Sequence, residues 1–213
     1  MSTTDEVTRL LRNHYASTFA KHGPTVQGVD WGTDDARAEL RHEKMAALFD
    51  PPDGARPTVL DVGCGYGAFL GFLAARDVDV DYTGIDTVQA MIDHAAESFP
   101  NAAFFCGDFL QTELGSFDYV VCNGVLTQKL TATDAQMAEY ADRLIRTMFD
   151  SCRRGVAFNV MSTAANFMAD NLYYRDPAEL VGWSVANVTK RVKLDHLYPP
   201  LFELTLYLYR DER

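Results

Sequence analysis

A glycine-rich segment that follows a short apolar run is the part of the sequence best suited to bind a ligand. The run VLDV leads into Gly63-Cys64-Gly65-Tyr66-Gly67, and an apolar pattern of helical spacing, AFLGFLAA, comes next. Glycines at this spacing let the backbone turn sharply and approach a ligand closely, with a helix N-terminus behind them. The segment predicts a site for a nucleotide-like ligand at the carboxyl end of a strand.

Two carboxylates beside this segment narrow the choice of ligand. Asp61 stands two residues before the first glycine. There it would repel a pyrophosphate but attract a ligand that carries an ammonium group. Asp86 ends the next apolar run, where a carboxylate can accept hydrogen bonds from both hydroxyls of a ribose. The pair favours an adenosine that bears an amino group, but the glycine pattern also satisfies the dinucleotide fingerprint, so a nucleotide-dependent dehydrogenase is an alternative.

Short apolar runs alternate with helical patterns from residue 57, which predicts right-handed βαβ units and a mostly parallel sheet. A capped helix begins at Asp176, and two further β-type runs, about 187–195 and 201–209, are joined by so short a link that they must be antiparallel. The expected fold class is α/β, a doubly wound seven-stranded sheet with a C-terminal antiparallel hairpin. The five runs of the parallel part are TVLDV, DYTGID, AAFFCGD, FDYVVCN and GVAFNVM.

Two helices are predicted before the first strand. Apolar residues at helical spacing indicate a helix over 4–22, with a capping box formed by Thr3 and Glu6, and a second helix over 35–49 with Asp34 as its N-cap. We therefore expect a single domain over 1–213. It would consist of a helical cap, residues 1–50, and a Rossmann-like core, residues 57–213.

Composition points to a small-molecule or protein partner. The chain has 30 acidic and 19 basic residues, a net charge of −11, which opposes binding to nucleic acids and to anionic membrane surfaces. Its four cysteines form no CxxC pair, and the N-terminus lacks the apolar stretch of a signal peptide, so we expect reduced thiols and a cytoplasmic location. The histidines show no metal-ligand spacing, and no metal is expected.

The segments VLDVGCGYG, GID, CGDF and FDYVVCNGVL occur in this order over residues 57–126. They resemble the motif series of the class I S-adenosylmethionine-dependent methyltransferases. The resemblance implies that the chain transfers a methyl group from S-adenosylmethionine to an oxygen or nitrogen of a small molecule and leaves S-adenosylhomocysteine. The C-terminal half is similar to bacterial enzymes of sugar or natural-product tailoring. A catalytically silent, cofactor-binding scaffold is a further alternative.

The resemblance also implies which residues contact the cofactor. Residues of the glycine loop surround the methionine part, Asp86 binds the ribose, Asp108 and Phe109 bind the adenine, and Asn123 with Gly124 lies beside the reactive methyl. Arg41 resembles the arginine that binds the methionine carboxylate. The full set is Arg41, Asp61, Gly63, Cys64, Gly65, Asp86, Thr87, Asp108, Phe109, Asn123 and Gly124.

The acceptor side is predicted from aromatic and polar residues in the cap, in the long segment 162–176 and near the strand ends. His196 is the candidate general base, because the sixth strand should end near Asp195 on the ligand-binding edge, and a neutral imidazole can accept a proton near pH 7. The candidate substrate-binding residues are Tyr15, Trp31, Asn159, Tyr173, Tyr174 and Tyr198.

Overall fold

The computed structural model describes residues 2–50, 55–198 and 202–211. Helices and strands alternate through most of this length. The helices are α1 (Thr3–His22), α2 (Asp35–Ala46), α3 (Ala68–Ala74), α4 (Gln89–Ser98), α5 (Asp134–Asp150) and α6 (Pro177–Asn187). The strands are β1 (Thr58–Val62), β2 (Asp81–Asp86), β3 (Ala103–Cys106), β4 (Phe117–Cys122), β5 (Cys152–Ser162), β6 (Tyr174–Arg175), β7 (Val192–Asp195) and β8 (Glu203–Tyr209).

One mixed sheet joins the strands in the order β3-β2-β1-β4-β5-β8-β7. Strands β1 to β5 are parallel to one another, whereas β8 is antiparallel to both of its neighbours. This confirms the predicted mostly parallel sheet with a C-terminal antiparallel hairpin. The two-residue strand β6, which pairs with the end of β5, was not predicted because its signal is too short.

Several predicted boundaries differ from the structure. The capping box of α1 uses Ser2 and Asp5, one residue earlier than the predicted pair. The strand predicted from residue 187 begins only at Val192, because α6 continues to Asn187 and the carbonyl of Ser184 still accepts hydrogen bonds beyond it. Helix α2 ends at Ala46, three residues before its predicted end. Leu201, where the run 201–209 was predicted to begin, lies outside the described residues.

Helices cover both faces of the sheet, and the alternation of side chains along β1 explains how. Leu60 packs with α1 and α5 on one face, whereas Val59 packs with α2 and α3 on the other. Successive residues of a strand point to opposite faces, so a strand covered on both sides is apolar throughout. Strand β1 is therefore buried between two helical layers, and its carboxyl end opens into the space between them.

The two N-terminal helices belong to different layers. In α1, Val7 and Leu11 pack with α5, and the hydroxyl of Thr4 accepts a hydrogen bond of 3.0 Å from the Arg143 guanidinium. In α2, Met45 packs against the opposite face of the sheet. The loop between these helices therefore crosses the carboxyl edge of the parallel strands. Of the helices in the described parts of the chain, none has the length and apolar character that a membrane span requires.

A glycine in β2 permits the close contact between this strand and the glycine loop. A β-carbon at Gly84 would lie 2.7 Å from Sγ of Cys64 and 2.9 Å from the ring of Phe104. We expect Gly84→Ala to lower the free energy of unfolding by roughly 1–3 kcal/mol, as overpacking of a core does. Urea denaturation measures this.

The matched control is Gly182→Ala in α6, where nothing lies within 4 Å of the added carbon. This change should stabilise the protein by about 0.5–1 kcal/mol, because alanine favours a helix interior. Equal stability of the two variants would contradict the packing argument.

Candidate active site

A cavity of about 1060 Å³, including its mouth to solvent, lies at the carboxyl edge of β1, β2, β3 and β4. Residues of α1, α2 and the loop between them cover it, among them Tyr15, Trp31 and Ala38. The position agrees with the ligand site that parallel sheets generally provide.

The glycine loop forms the floor of the cavity and is fixed to β2. Gly63, Gly65 and Gly67 have φ values of 78°, 55° and 84°, which other residues adopt rarely. Asp86 accepts a hydrogen bond of 2.9 Å from the backbone N–H of Gly65 and another of 2.9 Å from that of Val88. Asp86 therefore shapes the loop as well as lining the cavity, a role that sequence reasoning missed.

Asp61 is buried at the end of the central strand, with 2% of its surface exposed. Its Oδ2 accepts a hydrogen bond of 2.6 Å from the hydroxyl of Tyr82, whereas Oδ1 has no partner within the described residues. Burial raises the pKa of Asp61 to about 7. A buried carboxylate of this kind is costly unless a cation or a proton compensates its charge. The ammonium group of an amino-acid ligand fits this requirement, because Asp61 lines the cavity.

Most of the predicted cofactor residues meet at this cavity. Asp108 begins a short 3-10 turn by accepting a hydrogen bond of 2.9 Å from the N–H of Leu110, and this turn contains Phe109. Nothing in the structure contradicts the individual contacts predicted for these residues, which stay predictions. The members of the set that line the cavity are Asp61, Gly63, Cys64, Gly65, Asp86, Thr87, Asp108, Phe109, Asn123 and Gly124.

Trp31 closes the cavity at the end of β4. A β-carbon at Gly124, whose φ is 92°, would lie 2.7 Å from Nε1 of the Trp31 indole, so the loop can approach only because this residue is glycine. The predicted acceptor residues Tyr15 and Trp31 both line the cavity. From the segment 162–176, no described residue does so. That segment instead supports the cap from behind: Asn171 donates a hydrogen bond of 3.1 Å to Gln128, and Gln128 donates one of 2.8 Å to Asp30.

His42 is a cavity residue that sequence reasoning missed. Its ring centroid lies 5.5 Å from that of Trp31, and its Nδ1 accepts a hydrogen bond of 3.2 Å from the Nδ2 amide of Asn123. Burial and, secondly, the charges of Arg41 and Arg76 lower the pKa of His42 to about 4, so the ring is neutral at pH 7. The helical spacing of Ala38 and His42 was the available signal.

Arg41 lies outside the cavity lining, in contrast to its predicted contact with the methionine carboxylate. Its guanidinium is paired with the buried carboxylate of Glu203 on β8 and lies over the Trp31 ring, 4.9 Å from the centroid. Asn159, a predicted substrate-binding residue, also lies outside the cavity lining. Its side chain accepts a hydrogen bond of 2.7 Å from the N–H of Gly124 and donates one of 2.9 Å to Glu203. The two residues support the cavity wall from behind.

The remaining acceptor candidates do not line the cavity either. Tyr173 is buried, and its hydroxyl accepts a hydrogen bond of 3.0 Å from Arg175. The hydroxyl of Tyr174 accepts one of 2.9 Å from the N–H of Ala169. Tyr198 is buried against Thr205 and Lys44. In each case the polar end of the ring is occupied within the protein, so these tyrosines hold loops in place.

His196 follows the end of β7, as predicted, but the structure does not bring it to the cavity lining. Because β8 lies between β5 and β7, the hairpin loop begins three strands away from β4. Asp195 beside it is paired with Lys44 of α2 at 2.7 Å. The role of His196 as a base stays a prediction, and the geometry does not favour it.

The chain matches a family model described as the methyltransferase domain, over residues 59–148. It is also 35% identical over 154 residues to Rv1506c of Mycobacterium tuberculosis, which carries the name of a methyltransferase. This alignment covers 70% of the chain and 90% of that relative. This chain belongs to the class I S-adenosylmethionine-dependent methyltransferases. The dehydrogenase alternative is thereby set aside.

Solved structures share the fold of this methyltransferase at low sequence identity. Magnesium protoporphyrin IX methyltransferase from Synechocystis, with bound S-adenosylmethionine, superposes with a TM-score of 0.66 at 16% identity and covers 96% of the chain and 97% of its own. Phosphoethanolamine N-methyltransferase 1 of Haemonchus contortus gives a TM-score of 0.65 at 15% identity, covering 98% of the chain and 50% of its own. These likenesses establish the Rossmann-like architecture.

Other sequence relatives align with less than half of the chain. Malonyl-[acyl-carrier protein] O-methyltransferase of Acetivibrio thermocellus is 35% identical over 42% of the chain and 34% of its own length. Trans-aconitate 2-methyltransferase of Paracidovorax citrulli is 39% identical over 35% of the chain and 28% of its own length. The alignments thus span about a third of the length of each of these two relatives.

The raised pKa of Asp61 predicts how cofactor binding depends on pH. Below about pH 7 the free protein holds a proton on Asp61, and an ammonium beside the carboxylate would expel it. The affinity for S-adenosylhomocysteine should therefore rise as the pH increases from 5 to 7, by at most about tenfold per unit, and then level off. Calorimetry across this range measures it, with Asp61→Asn expected to bind weakly and without this rise. A flat profile for the parent protein would contradict the assignment.

The ion pair of Glu203 and Arg41 predicts a large effect on stability. Glu203→Ala leaves the buried guanidinium without its anionic partner, which typically costs about 3–5 kcal/mol of unfolding free energy. Glu203→Gln keeps an acceptor oxygen and should cost less. Thermal and urea denaturation distinguish them, and equal stability of the alanine variant and the parent would rule out this pair as a structural element.

Proposed function

We propose that this methyltransferase transfers the methyl group of S-adenosylmethionine to an oxygen of a small-molecule acceptor. Oδ1 of the buried Asp61, which has no hydrogen-bond partner among the described residues, carries the proposal, because it supplies the counter-charge for an amino-acid ammonium inside the cavity. Asp86 and Asp108 extend the same wall, where they would accept hydrogen bonds from a ribose and an adenine. Three carboxylates at the ends of neighbouring strands thus match the three parts of the cofactor.

Several observations support a small acceptor. The cap formed by α1, α2 and the loop carrying Trp31 encloses the end of the cavity beside Gly124. The net charge of −11 disfavours a nucleic acid and an anionic membrane. Of the relatives named above, one acts by its name on trans-aconitate, a small molecule, and the other on a malonyl group carried by a protein. The O-methyltransferase that acts on malonyl-[acyl-carrier protein] favours an oxygen over a nitrogen as the acceptor atom.

A role in natural-product or sugar tailoring stays a prediction. The free cysteines support a cytoplasmic location.

The cofactor supplies a methyl group that its sulfonium already activates. The chain must bind and orient the two reactants and exclude water. The glycine loop and Asp86 fix one wall, whereas Tyr15 and Trp31 cover the other. Asn159 holds the N–H of Gly124 at 2.7 Å and so fixes the backbone beside the reacting groups. Orientation within a preformed cavity is the contribution that the geometry supports best.

The test begins with Asp86→Ala. Loss of the carboxylate removes the proposed ribose acceptor and releases the N–H of Gly65, so the affinity for S-adenosylhomocysteine should fall by roughly 1.5–3 kcal/mol in calorimetry. Asp93→Ala, on the exposed face of α4, is the matched control and should bind as the parent does. Equal affinities for the two variants would contradict the placement of the cofactor.

Methyl transfer itself is measured with methyl-labelled S-adenosylmethionine and two sets of acceptors, small metabolites and transfer RNA. We expect label in the small-molecule fraction only. Label in the RNA alone would overturn the choice of acceptor. Tight binding of S-adenosylhomocysteine without transfer to any acceptor would instead support the silent scaffold.

A further inference from the structure

The cavity has two ends of different chemistry. Its three carboxylates, Asp61, Asp86 and Asp108, lie along the ends of β1, β2 and β3. The other end, beyond Gly124, is lined by the rings of Trp31 and His42 and holds no carboxylate among the described residues. If the carboxylates bind the cofactor, as proposed above, the acceptor must occupy this second end.

Two N–H groups are available there. Nδ2 of the Asn123 amide lies 3.2 Å from Nδ1 of His42, and with this amide group as the donor the neutral ring carries its proton on Nε2. The Trp31 indole contributes its Nε1–H, whose nitrogen lies against Gly124. Within the described residues, neither group makes a hydrogen bond to the protein. Both can donate to an acceptor oxygen.

A cation lies directly behind these donors. Arg41 is 9% exposed, and its guanidinium stacks over Trp31, 4.9 Å from the ring centroid. Glu203 binds its Nε and Nη2, but Nη1 has no partner within the described residues. Glu203 also accepts from Asn159, so its charge is shared among several donors. In this buried setting a charge acts over several ångströms more strongly than in water.

The titratable groups of this end are poorly suited to removing a proton from an acceptor. His42 is surrounded by Phe69, Phe72 and Trp31, and its pKa is lowered to about 4, by burial first and then by Arg41 and Arg76. Burial raises the pKa of Tyr15. A hydroxyl or an ammonium acceptor must lose a proton, whereas a carboxylic acid, with a pKa near 4, is already ionised at pH 7.

We propose that the acceptor is an apolar carboxylic acid, bound as its carboxylate by the N–H groups of Trp31 and His42 in front of Arg41, and that the product is its methyl ester. This rests on the proposed methyl-transfer function. One carboxylate oxygen provides the electron pair of the new O–CH₃ bond, the electron pair of the broken S–CH₃ bond stays on sulfur, and no proton is released. The aromatic rings around the donors favour an aryl or alkyl group beside the carboxylate.

The first experiment identifies the bond formed. The protein is incubated with methyl-labelled S-adenosylmethionine and a panel of benzoate, phenylacetate and decanoate, each paired with its primary alcohol and amine. Mild alkali releases labelled methanol from methyl esters but not from ethers or methylamines. We expect alkali-volatile label with the carboxylates alone. Alkali-stable label, or no transfer to and no binding of any carboxylate, overturns the proposal.

The second experiment uses binding, which does not depend on turnover. Calorimetry measures the affinity of the best carboxylate for the protein saturated with S-adenosylhomocysteine. Trp31→Phe keeps an aromatic ring but removes the N–H, and should weaken this binding by about tenfold or more, as for a hydrogen bond to a charged group. Trp183→Phe on α6, the other tryptophan of the sequence, is the matched control and should leave it unchanged.

Glu203→Gln should change the affinity for the carboxylate in the opposite direction to Trp31→Phe. It removes the negative charge that offsets Arg41, so the carboxylate should bind several-fold more tightly, whereas a damaged site would bind more weakly. Weaker binding by both Trp31→Phe and Glu203→Gln would overturn the proposal. If the unmodified protein does not bind S-adenosylhomocysteine, the methyl-transfer function itself is rejected. Failure of the acceptor proposal and failure of the proposed function are therefore distinguishable.

Discussion

The buried carboxyl group of Asp61 sets the constraint on which the site depends. It lies on the central strand β1, 2% exposed, with one oxygen held by Tyr82 and the other without a partner in the described chain. A carboxylate in such surroundings is costly unless a cation or a proton compensates it. The protein thus has a place for positive charge at the centre of its sheet, and the glycine loop keeps the space in front of it open.

Around Asp61, the two ends of the cavity differ in charge. Three carboxylates form one wall, and the opposite end has aromatic rings, neutral N–H groups and the guanidinium of Arg41 behind them. A ligand with a cationic end and a partner with an anionic end would both be oriented by the same field. The separation follows from topology, because the carboxylates come from β1 to β3, whereas the guanidinium comes from the cap and is held by β8.

Local patterns were enough to predict the sheet and the cofactor wall. Asp61, the glycines and Asp86 lie within single strand-to-loop segments, so neighbouring residues determine where they point. The surroundings of Arg41 could not be predicted in this way, because Glu203 is 162 residues away along the chain. The sequence predicted the correct edge of the sheet for His196, but the structure does not bring this residue to the cavity lining. Its distance depends on β8 entering between β5 and β7, which the runs themselves do not specify.

The position of β8 between β5 and β7 affects how the chain folds during synthesis. Strand β5 leaves the ribosome with one edge unpaired, and β7 follows it without a direct partner in the sheet, since β8 lies between them. Until Glu203 to Tyr209 emerge, the nascent chain exposes two strand edges and carries an arginine in its cap without a counter-ion. Such edges are the surfaces through which incomplete chains associate with one another. The last described strand thus completes the sheet and supplies the counter-ion of Arg41 in one step.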